Sequence, residues 1–111
     1  MAANHIQEGE VLTLTAPYAV NSGDGALVGA IFGIAITTLA NGASGAFAIE
    51  GVFKVTALST DVIAQGAKVY WDNTNKRMTG TASGNTLVGA ATVAKANGET
   101  TVTVLLDGAV R

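Results

Sequence analysis

The sequence predicts an all-β protein, built as a small antiparallel barrel or sandwich with an extended N-terminal arm. Apolar and polar residues alternate with a period of two, β-branched residues are frequent, and turn-forming residues recur roughly every 8 to 15 positions. The 111 residues suit one folding unit. We expect an arm over residues 1–9 and a single β domain over residues 10–111.

The composition excludes several classes of function. A net charge of −2 and a pI near 5.1 argue against nucleic acid and anionic membranes as partners. The most apolar stretch, residues 26–36, is too short to span a bilayer. Only 13% of residues are charged, compared with about 25% in ordinary globular proteins, which suggests that partners cover part of the surface.

The first half of the chain is predicted to contain two strands before an Asn-Gly turn. Residues 11–16 form the first strand, and residues 17–26 form a loop because they hold the only proline and a cluster of Gly, Asn, Asp and Ser. Residues 28–39 form a long central strand, since both of its faces are apolar or small. The Asn-Gly pair at 41–42 predicts a hairpin turn, in which type I′ geometry requires positive φ at both residues.

The second half is predicted to continue the antiparallel pattern. Residues 47–56 form a strand with a bulge or a barrel bend at Gly51. Residues 59–66 form one helical turn or a compact loop, because candidate N-cap residues precede a short apolar stretch and a glycine. Four further strands bring the total to about seven, at residues 67–72, 76–81, 86–94 and 100–106.

The chain contains an internal echo. Leu-Val-Gly-Ala occurs at residues 27–30 and 87–90, and Ala-Asn-Gly follows each copy, at residues 40–42 and 96–98. Two interpretations stay open: coincidence between strands rich in Ala, Val and Gly, or two strand–turn–strand units in equivalent places. Neither interpretation implies catalysis.

The segment KVYWDNTNKRMTG, residues 68–80, contains the single tryptophan. Strand alternation places Val69 and Trp71 on one face and Tyr70 on the other, so Trp71 is expected in the core and Tyr70 at the surface. A platform that stacks bases or sugars presents several exposed aromatic rings. The segment is therefore predicted to be a hairpin with a loop of about four residues.

No motif predicts catalysis or a bound cofactor. The single histidine, His5, lies in the polar arm, where a catalytic base would lack a rigid support. With no cysteine in the chain, neither a disulfide nor a zinc site is expected. Residues 21–25 lack the alternating carboxylates and the downstream bidentate glutamate of a calcium loop, and no Lys-Ser/Thr pair follows the glycines of residues 41–47. We expect no catalytic residue, no metal and no cofactor.

Five segments resemble, in order, a family of short tailed-phage and prophage proteins whose members include capsid decoration, or cement, proteins. The Val-Tyr-Trp-Asp sequence is the most specific of these matches. The resemblance implies a β-tulip-like protein on an icosahedral head, without catalytic residues to carry over. The matching segments are residues 7–17, 27–38, 50–55, 64–79 and 87–108.

The residues and the resemblance together predict a structural protein that binds the outer surface of the head shell and stabilises it. The expected partners are the major capsid protein and further copies of the chain, with a trimer expected because avidity multiplies weak contacts. The protein is expected on the virion surface after synthesis in the host cytoplasm. The candidate residues for capsid or subunit contact are Asn4, His5, Ile6, Gln7, Tyr18 and Tyr70.

Two other functions stay open. A β-sandwich module for a host-surface carbohydrate would require exposed rings at Tyr18, Tyr70 and Trp71. A tail or head-completion component would bind a different part of the virion. If the arm does not carry the attachment, the loops at residues 17–26 and 59–66 are the next candidates.

Overall fold

A computed structural model describes residues 11–107, and every regular element in this range is a β-strand. The all-β prediction is confirmed, whereas the predicted arm lies outside the described residues. No helix in residues 11–107 has the length and apolar character needed to cross a membrane. The strands are β1 Val11–Thr15, β2 Gly25–Val28, β3 Ile31–Ala35, β4 Ser44–Ala48, β5 Glu50–Thr56, β6 Lys68–Asp72, β7 Arg77–Thr79, β8 Thr86–Ala91 and β9 Thr101–Asp107.

The strands form two antiparallel sheets. The first has the order β1-β4-β3-β2, and the second has the order β5-β9-β8-β6-β7. The second sheet curls toward a barrel, because Ala57 forms a parallel bridge with Met78 and the Leu58 N–H donates to the Met78 carbonyl at 2.9 Å. This contact brings the end of β5 to β7, the last strand of the sheet.

The long strand predicted over residues 28–39 is wrong, since the structure places a hairpin there. Gly29 and Ala30 form a two-residue turn that sets Val28 opposite Ile31. Gly29 has a φ of +61°, and a glycine at the first central position is typical of a type II′ turn, which requires positive φ there. Alternation did not reveal the turn because apolar residues continue on both sides of it.

The strand predicted over residues 47–56 also divides. The chain leaves the first sheet after β4, passes through Ile49 and enters the second sheet as β5. Gly51 lies just beyond this crossing with a φ of +124°, while β5 pairs with β9 without a register shift. Gly51 therefore marks the predicted bend and not a bulge. These two divisions explain why residues 11–107 contain nine strands and not the predicted seven.

The remaining local predictions have mixed outcomes. Residues 59–66 form the compact loop and not the helical turn, and the hairpin loop between β6 and β7 has four residues. Both Asn-Gly pairs form turns, but only Gly42 and Gly98 have positive φ, at +86° and +100°. The type I′ expectation is therefore wrong, since positive φ at the second central residue alone is typical of a type II turn.

The two sheets repeat one topology. Without β7, the order β5-β9-β8-β6 corresponds to the order β1-β4-β3-β2. In the first sheet, Val20 and Leu39 exchange two backbone hydrogen bonds across an isolated bridge. In the second, Ile63 and Lys95 exchange two in the same way. The described chain is therefore two copies of one strand arrangement, and β7 is an addition to the second copy.

The repeated topology decides between the two interpretations of the internal echo. The bridges align residues 31–42 with residues 87–98, so the two Ala-Asn-Gly segments occupy equivalent places. The two Leu-Val-Gly-Ala segments do not, because the first crosses the β2–β3 turn and the second lies within β8. One part of the echo reflects the repeated topology, and the other is coincidence.

Trp71 lies at the centre of the larger hydrophobic core, with only 2% of its surface exposed. Its ring lies 5.0 Å from that of Phe32 in the other sheet, at an interplanar angle of 49°. Its Nε1 donates to Asn73 Oδ1 at 3.1 Å, which satisfies the indole N–H. The predicted core position of Trp71 is confirmed, and the residue joins the two sheets.

Candidate functional site

Two of the six predicted contact residues lie within the described part of the chain. Tyr18 is half-buried in the loop between β1 and β2, and Tyr70 is half-buried on β6. The other four, Asn4, His5, Ile6 and Gln7, lie outside the described residues. Their predicted role in contacting the capsid stays a prediction.

Tyr18 connects its loop to the β6–β7 hairpin. Its hydroxyl donates to the Gly25 carbonyl at 2.6 Å, and Lys76 Nζ lies 4.4 Å from its ring centroid in a cation–π contact. Burial, and next the nearby Asp24 carboxylate, raise the pKa of Tyr18 to about 12. These contacts hold the tyrosine in place, which makes it a structural link between the two sheets.

The aromatic side chains do not form one stacking platform. Tyr18 and Trp71 line a depression of about 90 Å³, which is small beside the roughly 300–1,000 Å³ of ordinary ligand pockets. Tyr70 points to the opposite side of β6 from Trp71, because successive strand residues alternate in direction. The carbohydrate-module alternative needed exposed rings, and Trp71 is buried.

The β6–β7 loop is held by its own hydrogen bonds. The Asp72 carboxylate accepts from the Thr74 N–H at 3.0 Å, the Asn75 N–H at 3.2 Å and the Asn75 side chain at 2.8 Å. These bonds, chiefly the one from the Asn75 side chain, lower the pKa of Asp72. Lys76 also donates to the Asn73 carbonyl. The polar residues of this loop thus stabilise the hairpin.

Lys95 holds the loop at residues 59–66 through hydrogen bonds, and the sequence analysis did not identify this role. The side chain is 3% exposed, and its Nζ donates to the carbonyls of Asp61 at 2.7 Å, Ser59 at 3.2 Å and Ala96 at 3.3 Å. The Asp61 carboxylate in turn accepts from Thr79 Oγ1 at 2.5 Å. The loop is therefore tied both to the β8–β9 connection and to β7.

An apolar row crosses the outer face of the five-stranded sheet. It consists of Val52, Leu105 and Ala90, which lie directly opposite one another on β5, β9 and β8. Val52 is 56% exposed and Leu105 is 46% exposed. Lys68 on β6 lies opposite Ala90 and continues the row. The outer face of an antiparallel sheet is commonly polar, so this exposed row is a candidate contact surface.

A shallow depression of about 230 Å³ adjoins the row. It forms where the β6–β8 register shifts between Val69 and Tyr70, and Leu87 and Leu105 contribute to its walls. Sequence reasoning missed this surface as well. The available signal was that Val52 and Leu105 are apolar at positions where alternation calls for polar side chains.

Comparison with known proteins identifies a family. A family model described as a phage cement protein matches residues 6–106, which is nearly the whole chain. No curated protein and no solved structure matches. The predicted resemblance to a family that includes cement proteins is therefore confirmed.

Proposed function

Because the chain belongs to the phage cement protein family, we propose that it binds the outer surface of a phage head shell and stabilises it. The proposed partner is the major capsid protein, and the proposed location is the capsid surface, reached after synthesis in the host cytoplasm. We propose a structural, non-catalytic role, carried by the β domain at residues 10–111 and the arm at residues 1–9.

The family match over residues 6–106 carries this proposal. The hydrogen bonds that hold two surface loops support it, because a protein that reinforces a shell loses less entropy on binding when its contact loops are already ordered. Lys95 ties down the loop at residues 59–66, and Asp72 ties down the β6–β7 loop. We propose that the connecting loops and the arm face the shell.

Binding to purified heads tests the proposal. Heads from a phage that lacks its decoration protein are mixed with the purified chain, sedimented and imaged, and their temperature of disruption is measured. We expect saturable binding of many copies per head and a higher disruption temperature. Purified tails are the matched control. Binding to tails, or to a single vertex of the head, would instead support the tail or head-completion alternative.

A further inference from the structure

The apolar row on the outer face of the five-stranded sheet lies between charges of opposite sign. Glu50 and Lys54 are on the same face of β5, each two residues from Val52 and on opposite sides of it. Asp107 lies opposite Glu50, and Thr103 lies opposite Lys54. At the β5 end of the row, the face is therefore acidic on one side of the row and basic on the other.

This charge pattern is complementary to itself under one two-fold operation. Consider two copies whose outer faces meet, related by a two-fold axis that runs along the row. The row of one copy then lies over the row of the other, and the strands of the two copies run in opposite directions. Lys54 of each copy then lies over Glu50 of the other copy. An axis parallel to the strands would instead set acidic residues against acidic residues. The first arrangement buries the apolar row and pairs Glu50 with Lys54 on both sides of it. Lys68 lies at the β6 end of the same row, so the two copies of this lysine face each other at the rim, where their long side chains extend into solvent.

We propose that this face is a self-association surface, on which two copies of the chain pack sheet against sheet about the axis along Val52, Leu105 and Ala90. The contact is isologous, since the same patch serves both subunits. It deepens the proposed function by identifying how copies join. The avidity argument that predicts a trimer does not say which surface joins the subunits. The charge pattern of this face is instead compatible with a two-fold dimer.

The size of the face predicts a weak pair. Five strands spaced about 4.8 Å apart and about six residues of 3.4 Å each would give a flat face of roughly 24 by 20 Å, and the curl of the sheet leaves less of it in contact. This area is below the roughly 800 Å² per partner of a standard stable interface. We expect dissociation constants on the order of micromolar, with weaker pairing at high salt because the ion pairs lie at the rim.

Cross-linking through a single introduced cysteine tests the geometry, because the chain has no cysteine of its own. Leu105→Cys places a thiol on the proposed axis. Val62→Cys is the matched control, since Val62 is more exposed, at 73% compared with 46% for Leu105, and lies in a loop away from the face. With a short bifunctional thiol reagent, we expect the Leu105→Cys chain to form covalent dimers at least about tenfold faster. Equal rates, or a faster control, overturn the proposal.

Charge reversal tests the pairing. Lys54→Glu should weaken self-association at least about tenfold in sedimentation equilibrium, and the double variant Glu50→Lys with Lys54→Glu should restore it. Trp71 emission and circular dichroism confirm that each variant is folded. A monomeric wild-type protein, a trimer unaffected by Lys54→Glu, or no recovery in the double variant overturns the proposal. All of these measurements are made without capsids, so their outcome is independent of the head-binding test.

Discussion

Lys95 occupies the position that Leu39 holds in the other copy of the repeated topology. A buried ammonium group is costly unless every donor has a partner, and a lysine has three donors. Three main-chain carbonyls accept from Lys95 Nζ. The lysine therefore substitutes for an apolar side chain at this bridge, and it adds hydrogen bonds that hold the loop at residues 59–66.

Replacing Lys95 by Met should lower the free energy of unfolding by about 2–4 kcal/mol, because it leaves the buried carbonyls without their donor. Lys68→Met is the matched control. Lys68 is exposed, so its replacement should change stability by no more than about 0.5 kcal/mol. Urea unfolding at a concentration where the chain is monomeric measures both. Equal effects of the two changes would show that the Lys95 contacts do not stabilise the fold.

Replacing Trp71 by Ala should cost about 3–5 kcal/mol, the range for large buried aromatic side chains. The single tryptophan also reports its own environment, and its emission should be blue-shifted and protected from iodide in the folded protein. Tyr70→Ala is the neighbouring control, and it should cost less because Tyr70 is only half-buried. Red-shifted, freely quenched emission from the native protein would contradict the core position.

The raised pKa of Tyr18, about 12 compared with an ordinary value of 10.0, predicts a stability change at alkaline pH. The folded protein favours the neutral phenol, so this stabilisation is complete below pH 10 and is lost as the pH rises from about 10 to 12. Absorbance of tyrosinate should show a titration step near pH 12 that is missing in Tyr18→Phe. If the variant keeps that step, the assignment to Tyr18 is wrong.

At the scale of elements, glycines decide where strands turn and how closely they approach. Gly29 permits the β2–β3 turn through its positive φ. Gly89 has a different role, because a Cβ at this position would lie only 2.0 Å from the Leu105 carbonyl oxygen on β9. The close approach of β8 to β9 thus depends on a residue without a side chain.

Gly89→Ala should destabilise the protein by at least about 2 kcal/mol, because the β9 backbone must move to admit the methyl group. Gly80→Ala is the matched control. At Gly80 the nearest atom to an added Cβ is Ile63 Cγ1 at 3.5 Å, which is ordinary van der Waals contact, so we expect a change within about 0.5 kcal/mol. Thermal unfolding compares the two. A stable Gly89→Ala protein would mean that β8 and β9 adjust without cost.

At the scale of the whole molecule, two copies of one strand arrangement share a core at Trp71 and Phe32. This architecture leaves separate surfaces for separate contacts. In the proposed arrangement, the outer face of the five-stranded sheet contacts a second copy of the chain, and the connecting loops contact the shell. The predicted arm, with Asn4, His5, Ile6 and Gln7, would add to the shell contact.

Deleting residues 2–9 should leave the β body folded and weaken head binding at least about tenfold, a loss of roughly 1.4 kcal/mol. The physical reason is the lost contact area of the arm. Circular dichroism of the truncated chain is the folding control, and a titration of purified heads measures the affinity. If the truncated protein binds heads as tightly as the full chain, we expect the loops predicted at residues 17–26 and 59–66 to carry the attachment, the first of them ending at Asp24 because β2 begins at Gly25.

The sequence by itself determined the all-β class, the core position of Trp71 and the four-residue β6–β7 loop. These features depend on alternation and turn chemistry within a few residues, and both can be recognised from the sequence alone. Of the candidate contact residues, the described Tyr18 and Tyr70 lie apart on different elements, and Tyr18 has a structural role that no local pattern indicated.

Only the tertiary structure decided which strands lie side by side, and the missed features follow from that pairing. The division of residues 28–39 at Gly29 was hidden because the same apolar pattern continues through the turn. Lys95 acquires two of its three carbonyl partners from a loop more than 30 positions earlier in the chain. Val52, Leu105 and Ala90 form a row only because β5, β9 and β8 are neighbours. Contacts between distant segments depend on the register between strands, which local alternation does not specify.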